Sequence, residues 1–241
     1  MTSPFQRELL KSAHGSWHGC LKPALQSMDP AFLNDLQRRP HWLPGKTRCL
    51  RALAAPLAQA QVVWLGESPY PRAASATGLC FHDGAVGELF SADGALSKTV
   101  NRATSLRNWM KAWFVAMGRL DPANTAAAAI RRMDKRGLIR RLDALFMRGQ
   151  QQGWIWLNAG LSLDPMQPKT AQITPWNPLV TAVLKAVSDR GGQIVLLGRF
   201  SHRFAPEVNA PLITEHPYNV SFIHNAAMRS FLRQWRSLIM Q

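Results

Sequence analysis

AQVVWLG, residues 60–66, is a short apolar run rich in β-branched and aromatic residues that stops at a glycine and gives way to a turn, ESPYP at 67–71. Continuous apolar character without polar alternation suits a strand buried on both faces, as in a parallel sheet covered by helices. Three further runs share it: GWIWLNA at 153–159, QIVLLG at 193–198 and PLITEH at 211–216. Helical patterns separate them, at 105–117, 135–148 and 178–188, and a last one follows at 225–240. Strand and helix alternate, so the predicted fold class is α/β: a single domain over residues 1–241 with a central, mostly parallel four-stranded sheet flanked by helices. The amino-terminal part, to about residue 59, reads as helical and loop-rich, broken at Pro40, Pro44 and Gly45. The sheet and its site are expected over about 60–241. In open parallel sheets, ligands bind beyond the carboxyl ends of the strands. That rule singles out 67–71, Asn158, 199–204 and 216–221.

Charge points to the partner. The 241 residues carry 29 Lys and Arg against 14 Asp and Glu, a formal net charge of +15, which predicts a polyanion. RRMDKRGLIRR at 131–141 concentrates six basic residues in eleven, a pattern of a solvated helix face that also suits phosphate contacts. Cys20, Cys49 and Cys80 form no C-x-x-C pair, and their odd number argues against a disulfide framework or a four-thiolate metal site. The amino terminus has Arg7, Glu8 and Lys11 but no apolar segment of signal-peptide type. No run approaches the roughly 18 apolar residues of a membrane span. A soluble, cytoplasmic monomer with no metal or cofactor is expected.

The selected loops carry a resemblance. VVWLGESPYPRAASATGLCF at 62–81 resembles the water-activating motif of family 1 uracil-DNA glycosylases, a strand running into G-Q-D-P-Y-H and then G-L-C-F. TSLRN at 104–108 is similar to that family's P-S-L-R-N helix start, and WIWLNAGLSL at 154–163 to its L-L-L-N-T-x-L-T strand end. EHPYNVS at 215–221 is similar to its H-P-S-P-L-S intercalation loop. The motifs follow the family's order from about Phe32 to Trp235, and their conjunction is far more specific than any one of them.

The resemblance implies a base-flipping enzyme, because a base inside a duplex must be extruded before its bond to the sugar can be broken. It implies that Phe81 stacks on the extruded base; alone, the residue would read as core. Asn158 would accept from uracil N3–H and donate to O4, a pairing that cytosine presents in reverse. Tyr70 would exclude thymine by conflict with its methyl group. His216 would stabilise charge on uracil O2 as the base leaves. The resemblance also implies DNA contacts, on double or single strands, at Ser105, Pro217, Tyr218, Val220 and Ser221; outside the motifs, Arg199, Ser201, His202 and Arg203 follow the third apolar run and are expected to grip the backbone by their charge and polarity.

The chain departs from the motif at four places. Ser68 stands where the family has its catalytic aspartate, and Glu67 replaces the preceding glutamine, so a carboxylate is present but displaced by one residue. Glu67 is expected to supply the negative charge and Ser68 to orient the attacking water. Gly-Glu also opens this motif in a thermophile-type family that holds an iron–sulfur cluster, but the cysteines for that cluster are absent here. Pro71 replaces a histidine. Val220 replaces a wedging leucine, a task for which Tyr218 is the alternative. Three readings stay open: excision of uracil, excision of another base such as hypoxanthine or xanthine, and damage binding without cleavage.

Overall fold

The computed structural model describes residues 2–39 and 41–240; the expected break at Pro40 lies outside the described residues. Strands form at each of the four apolar runs: β1 (Val62–Gly66), β2 (Trp154–Asn158), β3 (Gln193–Leu197) and β4 (Leu212–Thr214), in the order β2-β1-β3-β4. β1 pairs in parallel with β2 and with β3. Every residue of β1 and β2 is buried, as the unbroken apolar runs predict. Three tryptophans pack across these two strands, with ring centroids 5.3 Å apart for Trp64 and Trp154 and 5.9 Å for Trp64 and Trp156. Such pairs add about 0.5–1.5 kcal/mol each beyond the apolar area they bury. β4 departs from the expectation of two covered faces. It is a three-residue strand at the end of the order, with Leu212 half-buried and Ile213 45% exposed.

The helices, in chain order, are α1 (Pro4–Leu10), α2 (His18–Ser27), α3 (Pro30–Arg38), α4 (Lys98–Arg102), α5 (Thr104–Ala116), α6 (Ala127–Arg132), α7 (Leu142–Gln151), α8 (Lys169–Ile173), α9 (Asn177–Ser188), α10 (Arg199–His202) and α11 (Ala226–Gln234). Local chemistry sets several starts. Ser3 and Gln6 form a reciprocal capping box ahead of α1, with Pro4 in its first turn, and Asn225 accepts from the Met228 N–H to cap α11. Two expected helices are shorter than their patterns. The 135–148 pattern becomes helical only at Leu142, because Gly137 adopts φ 70°, a left-handed conformation that ends any helix there. The 225–240 pattern stops at Gln234. In place of longer helices the two segments meet: Ile139 N–H donates to the Ile239 carbonyl at 2.9 Å, and Leu138, Ile139, Leu238 and Ile239 are all buried.

Contacts divide the chain into two compact units, Met1–Cys80 with Gly153–Ile213, and Phe81–Gln152 with Thr214–Gln241. The first unit holds β1 to β3. The amino-terminal helices belong to it, since α2 packs on α9 and α9 packs on β3 and β1. In the second unit α5 packs against α11 and the 220–224 turn. Its buried Leu106, Trp109, Met110, Trp113 and Phe114 recur at helical spacing and give that packing face.

Candidate active site

In the first unit, the ends of β1 and β2 lie side by side, with Gly66 in register with Asn158. The Ala159 N–H donates to the Gly66 carbonyl and the Gly160 N–H to the Glu67 carbonyl, both at 2.9 Å, so the two loops leave the sheet stitched together. Gly66 has no room for a side chain: a Cβ there would stand 2.7 Å from Cys80 Cβ and 3.2 Å from Asn158 Oδ1. The Asn158 side chain therefore lies close against the bare backbone of Gly66. It is 3% exposed, and among the described residues its amide has no hydrogen-bond partner. Glu67, Ser68 and Tyr70 are half-buried on the loop that follows β1, with Pro69 buried between them and Pro71 exposed.

Glu67 has a partner that the motif did not indicate. Lys169 Nζ stands 2.7 Å from Glu67 Oε1, with the two side chains 49% and 26% exposed. The loop before Lys169 is anchored from below by Gln172, which is 5% exposed. Its Oε1 accepts from the Asp164 N–H at 2.6 Å and its Nε2 donates to the Asp164 and Gln167 carbonyls at 3.0 and 3.1 Å. An ammonium is thus delivered to the one carboxylate of the 67–71 turn.

The second unit opens at Phe81. This residue has φ 60°, a left-handed conformation that is rare for a bulky side chain and that concentrates at functional positions. Its ring is 7% exposed and lies 5.8 Å from the His216 ring, centroid to centroid, at 44°. His216 Nδ1 accepts from the Tyr218 N–H at 3.1 Å. With Nδ1 as acceptor, the neutral imidazole carries its proton on Nε2. The turn after His216 is pinned from α5, where the buried Asn108 donates from Nδ2 to the Pro217 carbonyl at 2.8 Å and to the Tyr218 carbonyl at 3.3 Å. Asn225 Nδ2 holds Glu215 Oε2 at 2.9 Å on the other flank. Between these anchors Tyr218 and Val220 are 67% and 61% exposed, unusual for apolar side chains of this size.

The remaining expected contacts divide by exposure. Ser221 and Arg199 are exposed, Ser105 and His202 are half-buried, and Pro217 is buried. Ser201 is corrected: it is fully buried and its hydroxyl donates to the Gly198 carbonyl at 2.8 Å, so its side chain builds the turn after β3 instead of facing a partner. The 131–141 run is also not one bare face. Arg131 is paired with Asp93 at 2.6 Å, Arg136 with Asp134 at 3.0 Å, and Arg141 with Glu88 and Asp143, each at 3.1 Å. The thiols of Cys49 and Cys80 are buried, which pushes Cys49 up to about 12 and raises Cys80 as well. Among the described residues no three His, Cys, Asp or Glu side chains gather as a metal site.

Solved structures share this architecture. The crystal structure of wild-type UNG from Nitratifractor salsuginis aligns over 100% of this chain and 100% of its own, with a TM-score of 0.88 and 29% identity. A mutant of that protein aligns at 0.88 over 98% of both chains. The chain has the uracil-DNA glycosylase fold and is similar over its whole length to a protein of that superfamily. Mimivirus uracil-DNA glycosylase shares the fold at a TM-score of 0.58 and 14% identity, over 87% of this chain and 71% of that one. No family model matches the sequence, and no curated protein does.

Within a uracil-DNA glycosylase framework, two residues stand out that the motif comparison did not assign. Asn108 closes the quoted TSLRN motif, yet nothing in five residues shows that its amide reaches a loop more than a hundred positions later. Lys169 follows MQP, a stretch without strand or helix signal. Only the fold brings its ammonium to Glu67.

Proposed function

We propose that this chain is a DNA glycosylase that turns deoxyuridine out of the helix and hydrolyses the bond between uracil N1 and the sugar C1′. The observation that carries this reading is Asn158: an amide 3% exposed, without a partner among the described residues, at the carboxyl end of β2 beside Gly66 of β1. One carbonyl and one NH2 at that place accept from N3–H and donate to O4 of uracil in a single bidentate contact. A base with the opposite pattern leaves those buried groups unmatched, a penalty that gives strong discrimination.

The other side chains have tasks consistent with their chemistry. Phe81 stacks on the extruded base, a contact worth about 1–3 kcal/mol in single-strand binders. Tyr70 closes off the space that the thymine methyl would need. As the C1′–N1 bond breaks, its electron pair passes into the uracil ring and charge builds on O2. The Nε2–H of His216 donates to that oxygen. The sugar becomes oxocarbenium-like and gains from a fixed negative charge, for which Glu67 is the carboxylate present, while Ser68 orients the water that adds to C1′. Water supplies the hydroxyl to the sugar and the proton to the base, so the products are uracil and an abasic strand. Exposed Tyr218, with Val220 beside it, fills the place the nucleotide leaves.

The Glu67–Lys169 pair and Ser68 depart from the motif, and hypoxanthine or xanthine is the alternative target. Duplexes carrying uracil, hypoxanthine, xanthine or thymine, incubated with the protein and then cleaved in alkali, decide between them. Strand scission at uracil alone is expected. Scission only at a purine lesion overturns the choice of base, and scission at none overturns the activity.

A further inference from the structure

The second unit contains a cavity of about 820 Å3 whose polar lining is dominated by arginine: Arg119, Arg148, Arg233 and Arg236 line it together with the apolar Met117 and Met240. It opens at the carboxyl end of α5, about 12 Å along that helix from Asn108, at 1.5 Å rise per residue. A purely structural role accounts for part of it. Helix carboxyl ends attract cations, and Arg233 Nε donates to the Ala116 carbonyl at 3.2 Å, while Arg148 and Arg233 lie in the last turns of α7 and α11. Each helix end carries only about half a negative charge, so the three ends offset roughly one and a half of the four positive charges. Arg119 has a carboxylate, Asp134 at 3.4 Å. Arg148, Arg233 and Arg236 have none among the described residues, and Arg148 Nε is buried without a hydrogen-bond partner. A surplus of about one and a half positive charges is left around a concavity within the usual size range for ligand sites, about 300–1,000 Å3.

We propose that this cavity binds the phosphate group of a nucleotide, with the base over the methionines. Guanidinium forks match phosphate oxygens two at a time, and no lysine lines the cavity, which favours planar bidentate recognition over a diffuse cationic surface. The polarizable thioethers of Met117 and Met240 supply a contact for a flat base. The rounded backbone of a duplex does not enter a concavity of this size. A free nucleotide or a nucleotide of a single strand does. Arg148 also lines a neighbouring cavity of about 580 Å3, where Arg141 is paired with Asp143 but Arg140 has no carboxylate partner among the described residues, so a strand passing between the cavities meets Arg148 and Arg140. The inference is independent of uracil excision.

Binding is measured by anisotropy of a labelled tetrathymidylate and by calorimetry with dTMP and inorganic pyrophosphate, on the wild type, Arg148→Ala and Arg236→Ala. Arg236 is exposed, so its variant keeps the test sound if Arg148→Ala fails to fold. The wild type is expected to bind at millimolar concentration or better. Each substitution is expected to weaken binding about tenfold, the loss of a charged hydrogen bond, while single-turnover excision from saturating DNA stays unchanged. Displacement of the oligonucleotide by dTMP or pyrophosphate identifies a free nucleotide as ligand, and oligonucleotide binding that neither displaces, yet both substitutions weaken, identifies a single strand. Absence of binding by every probe, affinities unaltered by both substitutions, or tighter binding of a hexaglutamate peptide than of any phosphate probe overturns the proposal.

Discussion

Asn158 bears the greatest weight at the scale of single residues. Replacing it with Asp removes a donor and adds an acceptor, so uracil loses its O4 contact while cytosine gains a partner for its N4 amine. Asn158→Asp is expected to slow uracil excision by tenfold to a hundredfold, as for a hydrogen bond to a charged or unmatched group, and to begin releasing cytosine; an unaltered base preference in a chromatographic assay of released bases contradicts the assignment. Glu67 poses a different question, because its carboxylate faces Lys169 at 2.7 Å. If Glu67 provides the charge, Glu67→Gln lowers the single-turnover rate about a hundredfold. Lys169→Ala alters it by no more than about fivefold, since an ion pair this exposed contributes about 1 kcal/mol at most. Equal rates for Glu67→Gln and wild type would leave Ser68 alone to act on the water. The thiols give a prediction that does not depend on chemistry at the site. Cys49 is pushed up to about 12 by burial, and Cys80 is raised by the same cause. At pH 8 neither forms thiolate, so both are expected to resist a thiol reagent until the protein is unfolded. The sign for stability follows: protonation favours the folded state, and this contribution declines as pH rises from about 9 toward 12.

Among the elements, the turns at strand ends determine what the residues can do. Gly66→Ala puts a methyl 2.7 Å from Cys80 Cβ, inside the closest normal approach. About 1–3 kcal/mol of destabilisation is expected, together with displacement of the Asn158 amide. Asn108→Ala removes both hydrogen bonds to the 217–218 backbone. That leaves the Pro217 carbonyl, on a buried residue, unsatisfied, at about 1–3 kcal/mol, and a melting temperature several degrees lower is the expected reading. The same elements explain what was legible in the sequence. β1 and β2 stood out because burial on both faces leaves an unbroken apolar run, and Asn158 and His216 could be named because they end such runs. The 135–148 pattern reads as one helix because the basic and apolar residues around Gly137 fit helical spacing, whereas in the fold Gly137 has φ 70° and Leu138 bridges to Met240. PLITEH reads as a core strand for a similar reason: it is apolar enough, but whether its faces are covered depends on which segments pack over it, since β2 at the other edge of the sheet is buried throughout and β4 is not.

On the scale of the whole molecule, the net charge of +15 predicts affinity for DNA that falls steeply with salt, by about 0.9 in log K per decade for each phosphate contacted. The ion pairs refine which arginines matter. Arg131 and Arg141 already face carboxylates, whereas Arg132 and Arg140 are exposed and have none among the described residues. Replacing Arg132 and Arg140 with Gln is expected to reduce the salt slope by up to about 2, more than the same change at Arg131 and Arg141, without altering base choice. The likeness to uracil-DNA glycosylases was legible in the order of four motifs, but the partner of Glu67 and the arginine cavity were not, because both are assembled from segments far apart in the chain. The central claim concerns chemistry, and one measurement addresses it directly: mass spectrometry of the small molecules and the strand after the protein is incubated with a duplex containing a single deoxyuridine. Free uracil in equal amount with a strand lighter by the base and heavier by water is the predicted result. An intact strand with no free uracil, even where the protein has bound the duplex, would contradict it.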